Sequence, residues 1–354
     1  MYLKNKHFSP SQIVLQNGEV FEGMAPEWQK EIFFGEVVFT TGMTGYVETL
    51  TDPSYAGQIL TFTYPLSGNY GVPDISRWES KKIHAAGVVI DELSVFYQHY
   101  AAERAFADWL KEQNIPLITQ VDTRALTKRL RIYGVCLGAI VPQDVQPKKF
   151  IDPNELHLVD RVSIKNSFEF GSGPKKIIAV DCGMKENISR CLLKFPLKIK
   201  RVPHNYDYSE EDFDGVFISN GPGDPVACRE AIEVLRKAMQ KKKPIFGICL
   251  GSQLMALSVG AKTFKLPYGH RGQNQPCMHI SDGRCYLTSQ NHGYAIDENT
   301  LPDDWKVSFR NLNDQSVEGI EHRELPFFSV QFHPEASPGP VDTHWLFEKF
   351  YALL

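Results

Sequence analysis

The sequence lacks the cysteine and histidine spacings of a disulfide framework or of a metal site. Its seven cysteines are an odd number and include no Cys-x-x-Cys pair, and its eleven histidines show no close metal-ligand spacing. This cysteine usage predicts a reducing, cytoplasmic compartment, in which a thiol can remain a nucleophile. We therefore expect no metal ion and no cofactor bound to this chain.

Export signals, membrane spans and a strong charge of one sign are also missing. The first ten residues contain no apolar signal-peptide core, and no stretch approaches the length of a membrane span. The net charge of −4 gives no basic surface of the kind that binds nucleic acid. The basic run at 241–243 ends a predicted helix, where cations are favourable. We expect neither a membrane nor a nucleic acid as a partner.

The 354 residues are enough for two domains, and the local pattern changes along the chain. Residues 1–145 read as a strand-rich α/β domain with glycine and proline between its elements. Residues 146–174 read as a connector, since they are rich in proline and charge. The first domain is predicted to contain strands at 12–15, 36–40, 58–63 and 86–90, and helices at 101–113 and 123–131.

From residue 175 to 354, strands and helices alternate. This alternation predicts an α/β fold with a mostly parallel sheet and helices on both faces. The predicted strands lie at 177–180, 199–202, 215–219, 245–248, 307–309, 317–320 and 327–332. The predicted helices lie at 185–193, 225–240, 249–259 and 343–353.

One turn in this second region has the pattern of a nucleophile elbow. An apolar strand runs into Gly-Ile-Cys-Leu-Gly at 247–251, and a helix follows at once. Cys249 would sit at a helix N-terminus, which favours the thiolate, and the N–H of Leu250 would point at an oxyanion. The pentapeptide alone leaves open a buried structural cysteine. The other six cysteines are predicted to be structural.

A histidine and a carboxylate that suit this cysteine follow a later strand. The predicted strand 327–332 delivers His333 and Glu335 at its C-terminal end, and ligands of open α/β sheets bind at that edge. Glu335 can accept from one imidazole nitrogen while the other faces the sulfur. An ordinary surface turn is the alternative interpretation. The loop Asn-Gly-Pro-Gly-Asp-Pro at 220–225 could present further N–H groups to an anion.

These three motifs, which follow one another along the chain at 220–225, 247–251 and 333–335, resemble the glutaminase domain of the triad-type glutamine amidotransferases. Further motifs in the first half resemble the small subunit of carbamoyl phosphate synthetase, and the resemblance covers nearly the whole chain. They are Met-Thr-Gly-Tyr at 43–46, Thr-Asp-Pro-Ser-Tyr at 51–55, Thr-Tyr-Pro at 63–65, Gly-Asn-Tyr-Gly at 68–71 and Asp-Thr-Arg-Ala-Leu at 122–126. Residues 269–274 and 290–294 match that family's substrate-side loops.

The resemblance implies a site and a division of labour. Cys249, His333 and Glu335 would be the catalytic triad that hydrolyses L-glutamine. A separate large subunit would combine ammonia, bicarbonate and ATP, in a heterodimer or a higher assembly. The family's glutamine contacts carry over to Ser54, Gly221, Gly223, Leu250, Gln253, Asn291, Gly293 and Tyr294. At Tyr294 the family usually has phenylalanine, so its backbone is the surer contact.

The expectation that ATP and a metal ion belong to the large subunit agrees with a further absence. The chain has no G-x-x-x-x-G-K-[ST] loop and no G-x-G-x-x-G fingerprint. The resemblance fits the arginine and the pyrimidine pathway equally. Two alternatives stay open, a glutaminase subunit of another amidotransferase and a non-catalytic regulatory subunit that has kept the fold.

Overall fold

The computed structural model describes residues 7–354 and divides the chain into two compact units. The first unit ends at Leu156, and the second covers His157–Leu354. The predicted connector, 146–174, is therefore shared between them. Its short 3-10 helix Pro153–Glu155 lies in the first unit, and the residues after His157 add a helix and a strand to the second.

The first unit is built on a seven-stranded mixed sheet in the order β10-β7-β4-β3-β11-β1-β2. The strands of the whole unit are β1 (Phe8–Leu15), β2 (Val20–Pro26), β3 (Phe33–Thr40), β4 (Gln58–Phe62), β5 (Leu66–Ser67), β6 (Val72–Pro73), β7 (Gly87–Val89), β8 (Glu92–Leu93), β9 (Ala102–Arg104), β10 (Leu117–Ile118) and β11 (Cys136–Pro142). The four strands outside the seven-stranded sheet form two short pairs, β5 with β8 and β6 with β9. Its helices are α1 (Tyr46–Thr51), α2 (Phe106–Glu112) and α3 (Thr123–Tyr133). The four predicted strands and the helix at 123–131 are confirmed.

The helix predicted at 101–113 is wrong over its first turn. Residues Ala102–Arg104 form β9, which pairs antiparallel with β6, and α2 begins only at Phe106. The helical pattern is real from that point, because Phe106, Trp109 and Leu110 are buried on one side of α2. Pairing with a distant strand therefore overrides the local preference of the preceding residues.

The second unit is built on a ten-stranded sheet in the order β12-β14-β13-β15-β16-β21-β20-β19-β17-β18. Its strands are β12 (Phe168–Phe170), β13 (Lys175–Asp181), β14 (Leu197–Pro203), β15 (Gly215–Ile218), β16 (Ile245–Ile248), β17 (Lys262–His279), β18 (Cys285–Asp297), β19 (Trp305–Asn311), β20 (Val317–His322) and β21 (Phe327–Val330). Its helices are α4 (Leu158–Val162), α5 (Glu186–Leu192), α6 (Arg229–Met239), α7 (Leu250–Ser258) and α8 (Trp345–Leu353).

The parallel part of this sheet consists of its five middle strands, β14, β13, β15, β16 and β21. Alternate residues of these strands enter two cores. Ile178 and Val180 pack with α6 and α7 on one face, whereas Ile177 and Ala179 pack with α5 and α8 on the other. The predicted α/β fold with helices on both faces is confirmed for this part.

The sequence did not predict the long antiparallel pair β17 and β18, which extends the sheet beyond β19. Their register shifts twice, between Lys265 and His270 and between Gly272 and Gln275, so no regular alternation of apolar residues marks them. No helix among residues 7–354 is long and apolar enough to cross a membrane.

Candidate active site

Cys249 occupies the turn between β16 and α7, in a backbone conformation that is rare for a side-chain-bearing residue. Its φ is 55° and its ψ is −104°. The flanking glycines are required by close contacts, because a Cβ on Gly247 would lie 2.7 Å from the carbonyl of Gly251. A Cβ on Gly251 would lie 2.3 Å from the carbonyl oxygen of Ile218. The sharp nucleophile elbow that the sequence predicts is present.

The thiol of Cys249 is buried where three strands meet. Its side chain emerges between β21, whose Val330 carbonyl accepts the Cys249 N–H at 2.8 Å, and β18. The Sγ atom lies 3.7 Å from the carbonyl oxygen of Asn291, to which a neutral thiol can donate. The residue is 2% exposed. Its role as a nucleophile stays a prediction.

His333 and Glu335 follow β21, which ends two residues earlier than predicted. The N–H of His333 donates to Ser289 on β18, and its Nδ1 lies 2.6 Å from Oε1 of Glu335. Burial lowers the pKa of His333, but the carboxylate of Glu335 and the nearby Cys249 outweigh it and raise the pKa to about 10. Among residues 7–354, Nε2 of His333 makes no hydrogen bond of good geometry, although Cys249 lies close enough to raise its pKa.

A fourth buried group, Lys185, was not predicted. Its Nζ lies 3.0 Å from Oε1 of Glu335 and also donates to the carbonyl of Ala336, and the Lys185 side chain is 4% exposed. Burial raises the pKa of Glu335, but Lys185 and then His333 lower it to about 2. The signal in the sequence was its place just after β13, at the same sheet edge as Cys249.

The loop predicted to hold the oxyanion follows β15 and lies beside the elbow. The side chain of Asn220 accepts from the N–H of Lys185 at 3.2 Å, which ties the two loops together. At Gly221 a Cβ would lie 2.2 Å from the carbonyl oxygen of Cys182, and Gly223 has a φ of 85°. Both glycines are required by this backbone path. Their contact with glutamine, like that of Leu250, stays a prediction.

The two segments expected to be substrate-side loops are strands. Residues 269–274 belong to β17 and 290–294 to β18, and the two pair at Arg271 and Asn291. Gln253, on the first turn of α7, donates to the carbonyl of Tyr294 and to Gln331, each at 3.0 Å. Asn291, Gly293 and Tyr294 thus lie along β18 beside the elbow helix. Their contacts with substrate stay predictions.

Ser54 lies in the first unit, in a 3-10 helix over Pro53–Tyr55. The carboxylate of Asp52 caps this helix by accepting from the N–H of Ser54 at 2.9 Å. The Asp-Pro-Ser sequence thus forms a capped turn, and Ser54 is buried. Its contribution to a glutamine site stays a prediction.

Comparison with protein families matches each half of the chain to a different model. Residues 13–140 match the carbamoyl-phosphate synthase small chain, CPSase domain. Residues 178–353 match the class-I glutamine amidotransferase model, and they include the triad and Lys185. The two matches follow the division of the chain into two units.

Relatives cover nearly the whole chain. An arginine-specific carbamoyl phosphate synthase small chain of Yarrowia lipolytica is 46% identical over 97% of this chain and 82% of its own length. Multifunctional protein CAD of Squalus acanthias is 51% identical over 89% of this chain. A mitochondrial carbamoyl-phosphate synthase of Aquarana catesbeiana, named for ammonia, is 44% identical over 97%. The chain spans only 15% and 24% of these last two proteins.

Proposed function

Because the chain belongs to the family of carbamoyl-phosphate synthase small chains, we propose that it hydrolyses L-glutamine to glutamate and ammonia. The observation that carries the proposal is the buried series Cys249, His333 and Glu335 at one sheet edge. Family membership alone does not specify glutamine, because one relative is named for ammonia.

The charges of the site suit attack by a thiolate. A pKa of about 10 at His333 favours the imidazolium, so the ring takes the proton of Cys249. The sulfur then adds to the carboxamide carbon, and the N–H groups of Leu250 and Gly223 are the proposed oxyanion donors. His333 returns its proton to the amide nitrogen, which leaves as ammonia when the C–N bond breaks, and the neutral ring then activates water against the thioester.

A large synthetase subunit is the proposed partner. It would bind ATP and its metal ion and use the ammonia, with bicarbonate, to make carbamoyl phosphate. Support comes from the first unit, which matches a small-chain model outside the amidotransferase part. The two subunits would form a heterodimer or a higher assembly, or be joined in one chain as in multifunctional relatives. Relatives named for arginine synthesis make that pathway one candidate, and the pyrimidine pathway is the other.

The proposed location is the cytoplasm. The odd number of cysteines and the lack of a Cys-x-x-Cys pair fit a reducing compartment. One relative is named as mitochondrial, so cell fractionation with antibody to this chain is the direct test. Recovery in the organelle fraction would contradict the proposal.

The decisive experiment compares wild type with Cys249→Ser in the complete complex. We expect the variant to lose glutamine-dependent carbamoyl phosphate synthesis and to keep ammonia-dependent synthesis, because only the glutamine step passes through this thiol. Cys285→Ser, which removes the exposed cysteine, is the matched control and should keep both activities. Loss of both activities in assembled Cys249→Ser complex would contradict the division of labour. Retention of both would favour a regulatory subunit.

A further inference from the structure

Two glutamine side chains contact each other between α7 and the end of β21. Gln253, four residues after Cys249, is 3% exposed, and Gln331, which directly follows β21, is fully buried. Nε2 of Gln253 donates to Oε1 of Gln331 at 3.0 Å. The backbone N–H of Gln331 donates to the carbonyl of Glu318 on β20 at 2.9 Å. The sheet therefore holds Gln331 in place, and Gln331 contacts the helix that carries Gln253.

The backbone carbonyl of Tyr294 determines which way the Gln253 amide faces. A carbonyl oxygen can only accept, and it lies 3.0 Å from this amide, so the NH2 group of Gln253 must face it. The second hydrogen of that NH2 group then points at Gln331, so Gln331 must present its oxygen. Turning over either amide, or both, would place two donors or two acceptors against each other. Only one arrangement of the two amides avoids such a clash.

This arrangement leaves Gln331 with a buried donor that has no acceptor. Its Nε2 makes no hydrogen bond among residues 7–354, although the side chain is fully buried. An unsatisfied NH2 group costs free energy in the interior, and an apolar side chain of similar size would avoid that cost. The one hydrogen bond that the Gln331 side chain makes in the described part of the chain is with Gln253. Its amide therefore serves Gln253 rather than local packing.

The amide oxygen of Gln253 is the acceptor that this arrangement leaves open. Both hydrogens of its NH2 group are used, and its Oε1 accepts no hydrogen bond from residues 7–354. Gln253 lies on the same helix face as Cys249, one turn or about 6 Å further along α7. Glutamine bound with its carboxamide at Cys249 has its α-ammonium group four bonds away, which is a similar length. The α-ammonium group is therefore the donor of glutamine that can reach Oε1.

We propose that Gln331 is a positioning residue, which holds the amide of Gln253 so that Oε1 faces the α-ammonium group of the substrate. The inference rests on the proposed function and adds to it a residue that touches neither substrate nor the reacting atoms. Hydrogen bonds from a charged donor are stronger than neutral ones, so the orientation of this oxygen bears on affinity. The site should therefore distinguish ligands that carry an α-amino group from ligands that lack it, and Gln331 should contribute to that selectivity through Gln253.

The test compares Gln331→Leu with wild type in the complete complex, because leucine has a similar size but cannot accept from Gln253. We expect KM for glutamine to rise about fivefold, the effect of one hydrogen bond, while kcat changes by less than about twofold. Inhibition by L-glutamate should weaken by the same factor, whereas inhibition by glutarate, which lacks the α-amino group, should not change. The matched control is Gln29→Leu, which removes another buried acceptor, the partner of the Leu117 N–H at 2.8 Å. It should leave all these constants unchanged.

A double-mutant cycle separates positioning from a general loss of structure, and KM does not depend on the fraction of folded enzyme. In a Gln253→Ala background, Gln331→Leu should change KM no further, because Gln331 acts through Gln253. Gln331→Glu keeps an acceptor for Gln253 and should hold KM within about twofold of wild type. Additive effects of the two substitutions, or equal weakening of inhibition by glutamate and glutarate, would overturn the proposal while wild type still hydrolyses glutamine. A wild-type complex without glutaminase activity would instead contradict the proposed function, and this inference with it.

Discussion

At the scale of single residues, the protonation of the triad is set by burial and by one lysine. Glu335 is fully buried, and desolvation alone would favour its neutral form. Lys185 reverses this preference, so the carboxylate is charged and holds the imidazolium of His333. Lys185 therefore adds a fourth group to the triad. It positions Glu335 without touching the reacting atoms.

Replacing Lys185 with methionine should destabilise the fold in a pH-dependent way. Loss of one partner leaves a buried carboxylate paired only with His333, which we expect to cost about 3 kcal/mol of unfolding free energy near neutral pH. The pKa of Glu335 is about 2 in the wild type, against an ordinary 4.5, so its stabilising contribution is present above pH 4.5 and lost as the pH falls towards 2. The wild-type and variant stabilities should therefore converge below pH 4.5.

Chemical denaturation across this pH range is the measurement, and Lys198→Met is the control. Lys198 pairs with Glu169 at 2.8 Å, but both side chains are about half exposed. Its removal should change the unfolding free energy by less than about 1 kcal/mol at every pH. A pH-independent loss of stability in Lys185→Met would contradict the electrostatic role of the lysine.

Truncation of Gln253 to alanine should raise KM for glutamine more than it lowers kcat. Gln253 lies four residues after Cys249 on α7, and its amide holds the Tyr294 carbonyl of β18, so both its position and its hydrogen bond bear on substrate. Steady-state glutaminase kinetics of the complex provide the measurement. Gln240→Ala, at the exposed end of α6, should leave both constants unchanged. An unchanged KM in Gln253→Ala would remove this residue from the glutamine site.

At the scale of elements, the elbow depends on how closely α7 approaches β15. Gly251 allows this approach, because a side chain there would meet the backbone of Ile218 rather than a flexible group. The N–H of Gly251 also donates to the carbonyl of Ser219 at 3.1 Å. The position of the thiol is thus fixed by helix packing and not by the turn alone.

Gly251→Ala should reduce kcat on the order of a hundredfold, because a shift of α7 by about 1 Å misplaces the nucleophile. The control is Gly260→Ala at the other end of the same helix. Gly260 has a left-handed φ of 89°, unlike Gly251, and nothing lies within 4 Å of a Cβ there. That variant should lose about 1–2 kcal/mol of stability from backbone strain and keep its kcat. Equal kcat values in both variants would refute the packing argument.

At the scale of the whole molecule, the resting geometry of the triad predicts dependence on a partner. The thiol of Cys249 lies 3.7 Å from the carbonyl oxygen of Asn291, and Nε2 of His333 makes no hydrogen bond of good geometry among the described residues, although Cys249 lies close enough to raise the pKa of His333. Attack requires these two groups to align with each other. A partner that favours the aligned arrangement by a few kcal/mol would activate hydrolysis, because populations shift with differential binding.

We therefore expect the isolated chain to hydrolyse glutamine slowly and the complete complex to do so faster. The measurement is kcat for glutamine hydrolysis by the chain alone, then with the large subunit, bicarbonate and ATP. The increase should be on the order of a hundredfold if alignment is the limiting step. Equal rates in the two conditions would indicate a free-standing glutaminase whose triad is aligned without help.

The sequence by itself determined the elements whose signals are local. The alternation of β13 to β16 with α5 to α7 follows from apolar periodicity, and the elbow follows from two glycines around Cys249. His333 and Glu335 could be placed at the same sheet edge as Cys249, because both follow a predicted strand and parallel strands share their carboxyl edge. Residue spacing was sufficient in these cases since each signal lies within a few positions.

Only the tertiary structure decided what depends on distant partners. Lys185 reaches Glu335 across 150 positions, and its charge at that place is meaningful only once both groups are buried. The strand β9 exists because β6 lies beside it, and β17 and β18 carry bulges that hide their alternation. His270, His292 and Glu318 come together from three strands that share no local pattern. Such features arise from long-range pairing and desolvation, which spacing along a chain does not encode.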